Sequence, residues 1–342
     1  MSMDARKFRI LQAIIDDYIL TAIPVGSRTI SKKYEMGLSS ATIRNEMSDL
    51  EELGYLDQPH VSAGRIPSAK AYRLYVDQLL RAGKIHTDDA ASLREHFTRR
   101  TGKMEDVINR AAQVLSSLTH YTSLVMSPKG GDMTIRNLQL VPVTQNSALL
   151  VIVTDSGIVR DAVIHVDSDL DADALYAISG MLTQRLTSHT LAEAQHVIRA
   201  MTREFAEKRA MLSGISELVS EVESQQTQSK LAFGGTSNIL SFPEYSDVEK
   251  ARGFLSLLES KDTLLRLLEQ HQNVAFTVRI GPETGVPELR DCSLVTATYT
   301  IGDHTQGTIG VIGPTRMQYG RVLGVLSAMG EQLTRLFAAD KE

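Results

Sequence analysis

A single cysteine, Cys292, is all the thiol chemistry that 342 residues offer. Its isolation excludes an intrachain disulfide and any cysteine-rich zinc site, and it suits a reducing compartment. The apolar run from Cys292 to Tyr299 reads as a strand, so the thiol is expected to be a small core residue and not a nucleophile. No stretch approaches the roughly 18 apolar residues that a membrane-spanning helix needs. No apolar run follows a charged start, so no signal peptide is visible, and a cytoplasmic protein without a membrane partner is expected. Catalytic signatures are missing as well: there is no HExxH and no GxxxxGK[ST]. The nine histidines show no ligand spacing, and His86, His96, His189 and His196 read as surface residues. No Ser-His-Asp set can be assigned from order alone. Gly307, Gly310 and Gly313 precede a helix, as a phosphate-cradling loop would, but they lack GxGxxG spacing, and strand packing is the simpler reading. No catalytic residue, metal or cofactor is therefore expected, and the chain does not read as an enzyme.

What is present suits a folded protein of two or three domains, with 42% hydrophobic residues to build real cores. Charge is uneven. Residues 1–84 hold 12 Lys and Arg against 10 Asp and Glu, while the remainder hold 24 against 31. The first segment is mildly basic and the rest acidic, so a polyanion would be drawn to the N-terminal part alone. The acids Asp16, Asp17, Glu51 and Glu52 are expected on a face turned away from it.

The richest stretch is residues 24–67. Ser27 can cap a helix that carries Ile30 and Tyr34. Gly37 then supplies the positive φ of a helix-ending turn. Ser39 or Ser40 caps a second helix, whose Ile43, Met47, Leu50 and Leu53 form one buried stripe, and Gly54 stops it. The opposite face carries Ser40, Ala41, Arg44, Asn45 and Ser48. Arginine can donate two hydrogen bonds to guanine, and asparagine pairs with adenine. Arg44 and Asn45 are thus the expected base readers. Ser39, Ser40 and Thr42 at the helix start suit a phosphate, with Ser27, Arg28 and Thr29 of the first helix beside them. Tyr55–Leu56 and Arg65–Ile66 read as a two-stranded ribbon whose turn-rich tip brings His60, Ser62 and Arg65 toward the backbone or a minor groove. Arg28 and Arg65 are expected to act mainly through charge. Upstream, Ile10, Leu11, Ile14, Ile15, Tyr18 and Ile19 complete a three-helix core. A winged helix-turn-helix is the best account, and double-stranded DNA its partner.

The words SRTIS, LSSATIRNEMSDLEELGYL, SAGRIPS and AYRLYVDQLL, together with GTSNIL at 235–240, Phe242-Pro243-Glu244 and GTIGVIGPTRMQYGRVL at 307–323, resemble the heat-inducible transcription repressor (HrcA) family. The resemblance runs from about residue 4 to about residue 337 and is weaker between about 165 and 235. It implies an α+β protein in which a winged helix-turn-helix precedes a GAF-like domain interrupted by an inserted, largely helical dimerisation domain. It further implies a homodimer on an inverted-repeat operator (CIRCE) upstream of chaperone genes. A GroEL-type chaperonin would keep the repressor active, and heat would withdraw that activity.

The remaining pattern fits this plan. After a helix at 68–82 and a polar linker at 83–89 comes an amphipathic helix at about 89–118. Strands are expected at 123–126, 135–143, 147–153 and 158–166, with a hairpin turn at Asp155–Gly157, the whole reading as an antiparallel meander. Polar helices fill about 167–230. Strands resume at 274–280, 294–301 and 307–312, before a helix at about 319–337. The expected domains are thus 1–84 for DNA binding, 85–166 with 245–342 for the GAF-like part, and 167–244 for the insertion. A different class of function stays open: a small-molecule sensor that carries a DNA-binding module, with Arg279 and His304 as the polar pocket candidates. A purely architectural DNA binder would show no preference for an inverted repeat.

Overall fold

The computed structural model describes residues 3–34, 37–60, 63–82, 93, 97, 104–127, 134–154, 159–166, 170–204, 209–227, 231–269, 275–301 and 305–338. Helix α1 (Ala5–Thr21) starts where Asp4 accepts a hydrogen bond from the Lys7 amide, and it buries Ile10, Leu11, Ile14 and Ile15. Helices α2 (Ser27–Lys33) and α3 (Ser40–Glu52) follow, separated by a turn in which Gly37 has φ +66. The expected cap at Ser27 is corrected: Gly26 holds the cap position without a side-chain bond, and Ser27 is already helical. The cause lies one residue earlier. Val25 exchanges two backbone hydrogen bonds of 2.9 Å with Arg65, which sets where the extended chain ends.

The ribbon, β1 (Leu56–Asp57) and β2 (Ile66–Pro67), is antiparallel. It lies one residue later in each arm than the pattern suggests. Tyr55 donates its amide to Leu50 to close α3, and Arg65 is occupied with Val25. Helix α4 (Ala69–Ala82) follows. The anticipated linker at 83–89 lies outside the described residues, as does most of 89–103, and helix α5 spans Met104–Thr119.

Strand β3 (Thr122–Met126) is followed by β4 (Ile135–Thr144), β5 (Ser147–Thr154) and β6 (Val159–His165), and then by helices α6 (Ala172–Leu186), α7 (Leu191–Glu204) and α8 (Arg209–Thr227). The chain then forms β7 (Leu231–Gly234), α9 (Val248–Glu259), α10 (Lys261–Glu269), β8 (Phe276–Ile280), β9 (Cys292–Ile301), β10 (Thr305–Pro314) and α11 (Tyr319–Ala338). This is an α+β protein with two separate larger sheets. One is five-stranded and antiparallel, in the order β7-β3-β10-β9-β8; the other is the meander β4-β5-β6. The hairpin turn expected at Asp155–Gly157 lies outside the described residues.

The expected boundary at 166/167 divides a unit that the structure keeps whole. Among the described strands, β4–β6 pair with one another and with none of the larger sheet. Their inner face (Leu138, Leu140, Leu150, Ile152) shares one core with Leu182, Ile198 and Ile215 of the three helices. The insertion is therefore a sheet with helices, not a helical segment alone, and it enters between β3 and β7, which are direct neighbours (Ser123 opposite Gly234). Alternating apolar residues announce a strand but not its partner, so the expected meander holds for β4–β6, whereas β3, expected as its first strand, belongs to the five-stranded sheet.

The glycines of β10 serve packing. A Cβ at Gly307 would stand 2.3 Å from the Tyr299 ring, and one at Gly313 2.6 Å from Tyr121. Cys292 is fully buried, 2.6 Å from the Tyr245 hydroxyl. Burial pushes its thiol up to about 12, so almost none is thiolate at pH 8, and the thiolate is the reactive form. Native protein at pH 8 is expected to leave Ellman's reagent uncoloured until urea unfolds it. Rapid colour from the folded chain would place Cys292 at the surface.

Head and body share a single core. Ile10, Ile43 and Val76 belong to the same buried cluster as Val295, Val322 and Leu326. Tyr72 of α4 meets Tyr319 with ring centroids 6.0 Å apart. Arg73 donates to the Val278 carbonyl at 2.5 Å and ion-pairs with Glu283. Among the described residues no helix is long and apolar enough to cross a membrane.

Candidate nucleic-acid interface

Helix α3 divides its residues by chemistry. Ile43, Met47 and Leu50 are buried, while Ala41, Arg44, Asn45 and Ser48 are exposed. The N-terminus is closed by Ser39, not Ser40: its hydroxyl accepts from the Thr42 amide at 3.1 Å and lies 2.9 Å from the Thr42 hydroxyl. Ser48 folds back onto the Arg44 carbonyl at 3.2 Å. Arg44 and Asn45 make no side-chain hydrogen bond or ion pair with any described residue, and neither does Arg28.

These side chains line an open cleft of about 750 Å³ between α3, the start of α2 and the ribbon. Ser27, Arg28, Ser40, Ala41, Arg44, Asn45, Ser48 and Arg65 all border it. Thr29 is exposed on α2 and Ser39 and Thr42 sit at the start of α3, outside the lining, while His60 is exposed on the ribbon. Ser62 lies outside the described residues, as does the pocket candidate His304; Arg279 is buried in β8.

Gly64 explains how ribbon and helix come so close. A Cβ there would stand 2.5 Å from the Val25 carbonyl oxygen, so any other residue would push the ribbon off the α2 approach. Gln58 holds the ribbon from within by donating to the Ala63 carbonyl at 3.1 Å, and it borders the cleft. In the sequence Gln58 is one polar residue of a turn-rich tip, and nothing but its polarity marks it.

The electrostatics are sharper than the charge count suggests. On α3, Glu46 and Asp49 are bound by Lys7 at 2.9 and 3.1 Å, and Arg6 adds a contact to Glu46 at 3.3 Å. Those two carboxylates hold the Lys7 ammonium above its ordinary range, Glu46 first. Asp17 is bound by Lys33 at 2.5 Å, and Asp16 accepts from Tyr75 at 3.2 Å. Asp17, Glu46 and Asp49 are thereby ion-paired inside the head, while Arg28 and Arg44 stand as exposed positive charges on the cleft. Glu51 departs from the expectation that it faces away. It ion-pairs with Arg65 at 2.7 Å, and the Arg65 side chain is only 17% exposed. Arg65 therefore anchors the ribbon to α3, and its charge is already answered.

The family model described as the HrcA protein C terminal domain matches residues 105–323. The heat-inducible transcription repressor HrcA of Ruminiclostridium cellulolyticum is 41% identical over 343 residues, covering 98% of this chain and 97% of that one. The chain belongs to the HrcA family. The HrcA of Desulforamulus reducens is 42% identical, over 98% of this chain and 97% of its own. A solved structure described as a hypothetical protein superimposes with a TM-score of 0.70 at 26% identity, covering 99% of each chain. The HrcA likeness thus covers nearly the whole length, head and body together, although the family model itself begins after the winged head.

Proposed function

We propose that this HrcA-family chain is a transcription repressor that lays α3 in the DNA major groove and binds an inverted-repeat operator as a homodimer. The observation that carries the reading is the exposed, uncommitted pair Arg44 and Asn45 on a capped helix beside a ribbon. Two donors free of intramolecular partners suit base edges, which reward bidentate contact. Arg28 and the hydroxyls at the starts of α2 and α3 suit flanking phosphates.

A dimer is supported by the insertion. The outer face of the meander exposes Val143 (56%), Val159 (50%) and Val163 (64%). Val163 lies opposite Leu149, which in turn lies opposite Val141, so the row is continuous across all three strands. An uncovered aliphatic row, edged on the same face by Gln139 and Asp161, is a natural self-association surface, and a symmetric dimer presents two heads to two half-sites. The relatives are named heat-inducible repressors. In this reading the operator is the CIRCE inverted repeat of chaperone genes. Mild heat depletes the active dimer because native states lie only about 5–15 kcal/mol below unfolded ones. A GroEL-type chaperonin then sets how much competent dimer remains.

Fluorescence anisotropy tests the reading, using purified protein on a CIRCE-type duplex and on the same duplex with one half-site scrambled. Tight binding that collapses on scrambling is expected, and chaperonin should raise the fraction of binding-competent protein after mild heating. Equal, weak, salt-sensitive binding to both duplexes would overturn it.

A further inference from the structure

The junction between head and body is organised around one side chain that DNA reading does not use. Arg316 lies in the loop between β10 and α11. Its guanidinium forms a two-pronged ion pair with Glu244, with the outer bond at 3.1 Å, and donates through Nη1 to the Ile19 carbonyl of α1 at 3.1 Å. It also lies over the Phe242 ring, 5.6 Å from the centroid. The side chain is only 11% exposed. Phe242 is in turn stacked on Tyr121 at 5.4 Å, and the Tyr121 hydroxyl accepts from the Gln318 amide at 3.2 Å. Three stretches remote in sequence thus meet at one planar cation.

The point of attachment on the head matters. Ile19 sits in the last turn of α1, where carbonyls lack helical partners and the dipole favours a cation. The chain leaves that turn through Ala22, which adopts a left-handed cap (φ 55), and reaches Val25, which is bonded to Arg65 of the ribbon. The start of α2 and the ribbon therefore hang from the segment that Arg316 grips. A buried ion pair contributes little net stability, since desolvation offsets the attraction, but a guanidinium fork is directional in a way an ammonium is not. Orientation, and not stability, is what such a contact can supply.

We propose that Arg316 is a positioning residue: by tying the end of α1 to Glu244 of the body, it fixes the angle at which each head is presented, and so the half-site spacing that the dimer accepts. This rests on the dimeric-repressor reading above. Among the described residues, head and body are also joined by apolar packing, Tyr72 on Tyr319, and by Arg73 on Val278 and Glu283, so the heads stay attached without Arg316 but lose one fixed direction.

The test compares wild type with Arg316→Lys and Arg316→Met, each checked for dimer mass and melting temperature. Each is titrated on a single half-site duplex, on the inverted repeat, and on repeats whose spacer is shortened or lengthened by one to three base pairs. For wild type, linking two half-sites should raise affinity on the order of a hundredfold or more, with a sharp spacer optimum. The variants should keep half-site affinity within about twofold while losing about tenfold of the paired-site advantage, since misaligned modules forfeit effective concentration. Their spacer optimum should flatten. If the Arg316 variants do not fold, Glu244→Gln removes the charge with little change of shape and faces the same test. A folded, dimeric variant with the wild-type spacer profile overturns the proposal. A wild-type protein that gains nothing from a second half-site overturns the dimeric reading beneath it, and that outcome is visible before any variant is compared.

Discussion

Val163→Asp is expected to split the dimer while leaving the protomer folded. Val163 is 64% exposed on β6, so in the isolated chain an aspartate there meets water, and exposed substitutions usually change stability by no more than about 0.5 kcal/mol. In an interface the same carboxylate is stripped of water among aliphatic side chains: Leu149 directly opposite, and Val141 beyond it. An unpaired polar group buried in apolar surroundings costs several kcal/mol, and two-fold symmetry applies that cost twice. Light scattering should then report a monomer. Melting should shift by only a few degrees, as about 1 kcal/mol moves a domain of this size by roughly 2–4 °C. Affinity for the inverted repeat should fall by about 10²–10⁴, the advantage that a second linked module confers, while half-site affinity stays put. A dimeric Val163→Asp protein would show that the contact lies elsewhere.

Arg44→Ala should produce the largest loss among single head substitutions. The Arg44 side chain is exposed and makes no ion pair or hydrogen bond with described residues, so nothing inside the fold depends on it and stability should be unchanged. One bidentate contact to a guanine is worth about 1–3 kcal/mol of discrimination, and a symmetric dimer would make two such contacts. The expected loss is therefore about 2–6 kcal/mol on the full operator, accompanied by relaxed selectivity at one base pair in each half-site. Arg28→Ala offers the contrast. A phosphate contact should weaken binding to every sequence alike and make the salt dependence shallower by about one unit per half-site. Arg65→Ala should behave as neither, because its charge is bound to Glu51; it should loosen the ribbon. Competition titrations against single-base operator variants, repeated over a range of salt concentrations, separate these three behaviours. Undiminished specific binding by Arg44→Ala would mean that another face of α3 reads the DNA.

Much of the head was legible before any coordinates because its signals are local. A hydroxyl three residues before the amide it caps, a glycine at positive φ, and apolar residues at helical spacing all act within a few positions of one another. The local departures are small: Ser27 is not the cap, the ribbon lies one residue later in each arm, and Leu53 is a half-buried cap residue and not part of the buried stripe. The first two follow from a non-local bond, that between Val25 and Arg65. Arg65 itself looked like a free basic contact. Only the fold brings Glu51 to within 2.7 Å of it.

The body was legible in its elements but not in their assembly. Strands β4–β6 and β8–β10 and helices α6–α8 and α11 lie close to where apolar spacing puts them, but β7, α9 and α10 are not announced by it. The meander β4–β6 belongs with the inserted helices and not with the five-stranded sheet that holds β3.

Taken alone, the amino-acid order determined that the chain carries a helix-turn-helix with a ribbon, which face of α3 is polar, that no disulfide forms within it, and its family likeness. Tertiary structure decided which strands share a sheet, that the insertion leaves a row of valines uncovered, which charges are already paired, and that Arg316 joins the body to the end of α1. The division follows from range. Caps, turns and helical stripes are settled by neighbours a few residues away. Sheet partners, ion pairs and exposed faces depend on residues up to a few hundred positions apart, such as Ile19 and Arg316, which only the folded chain brings together.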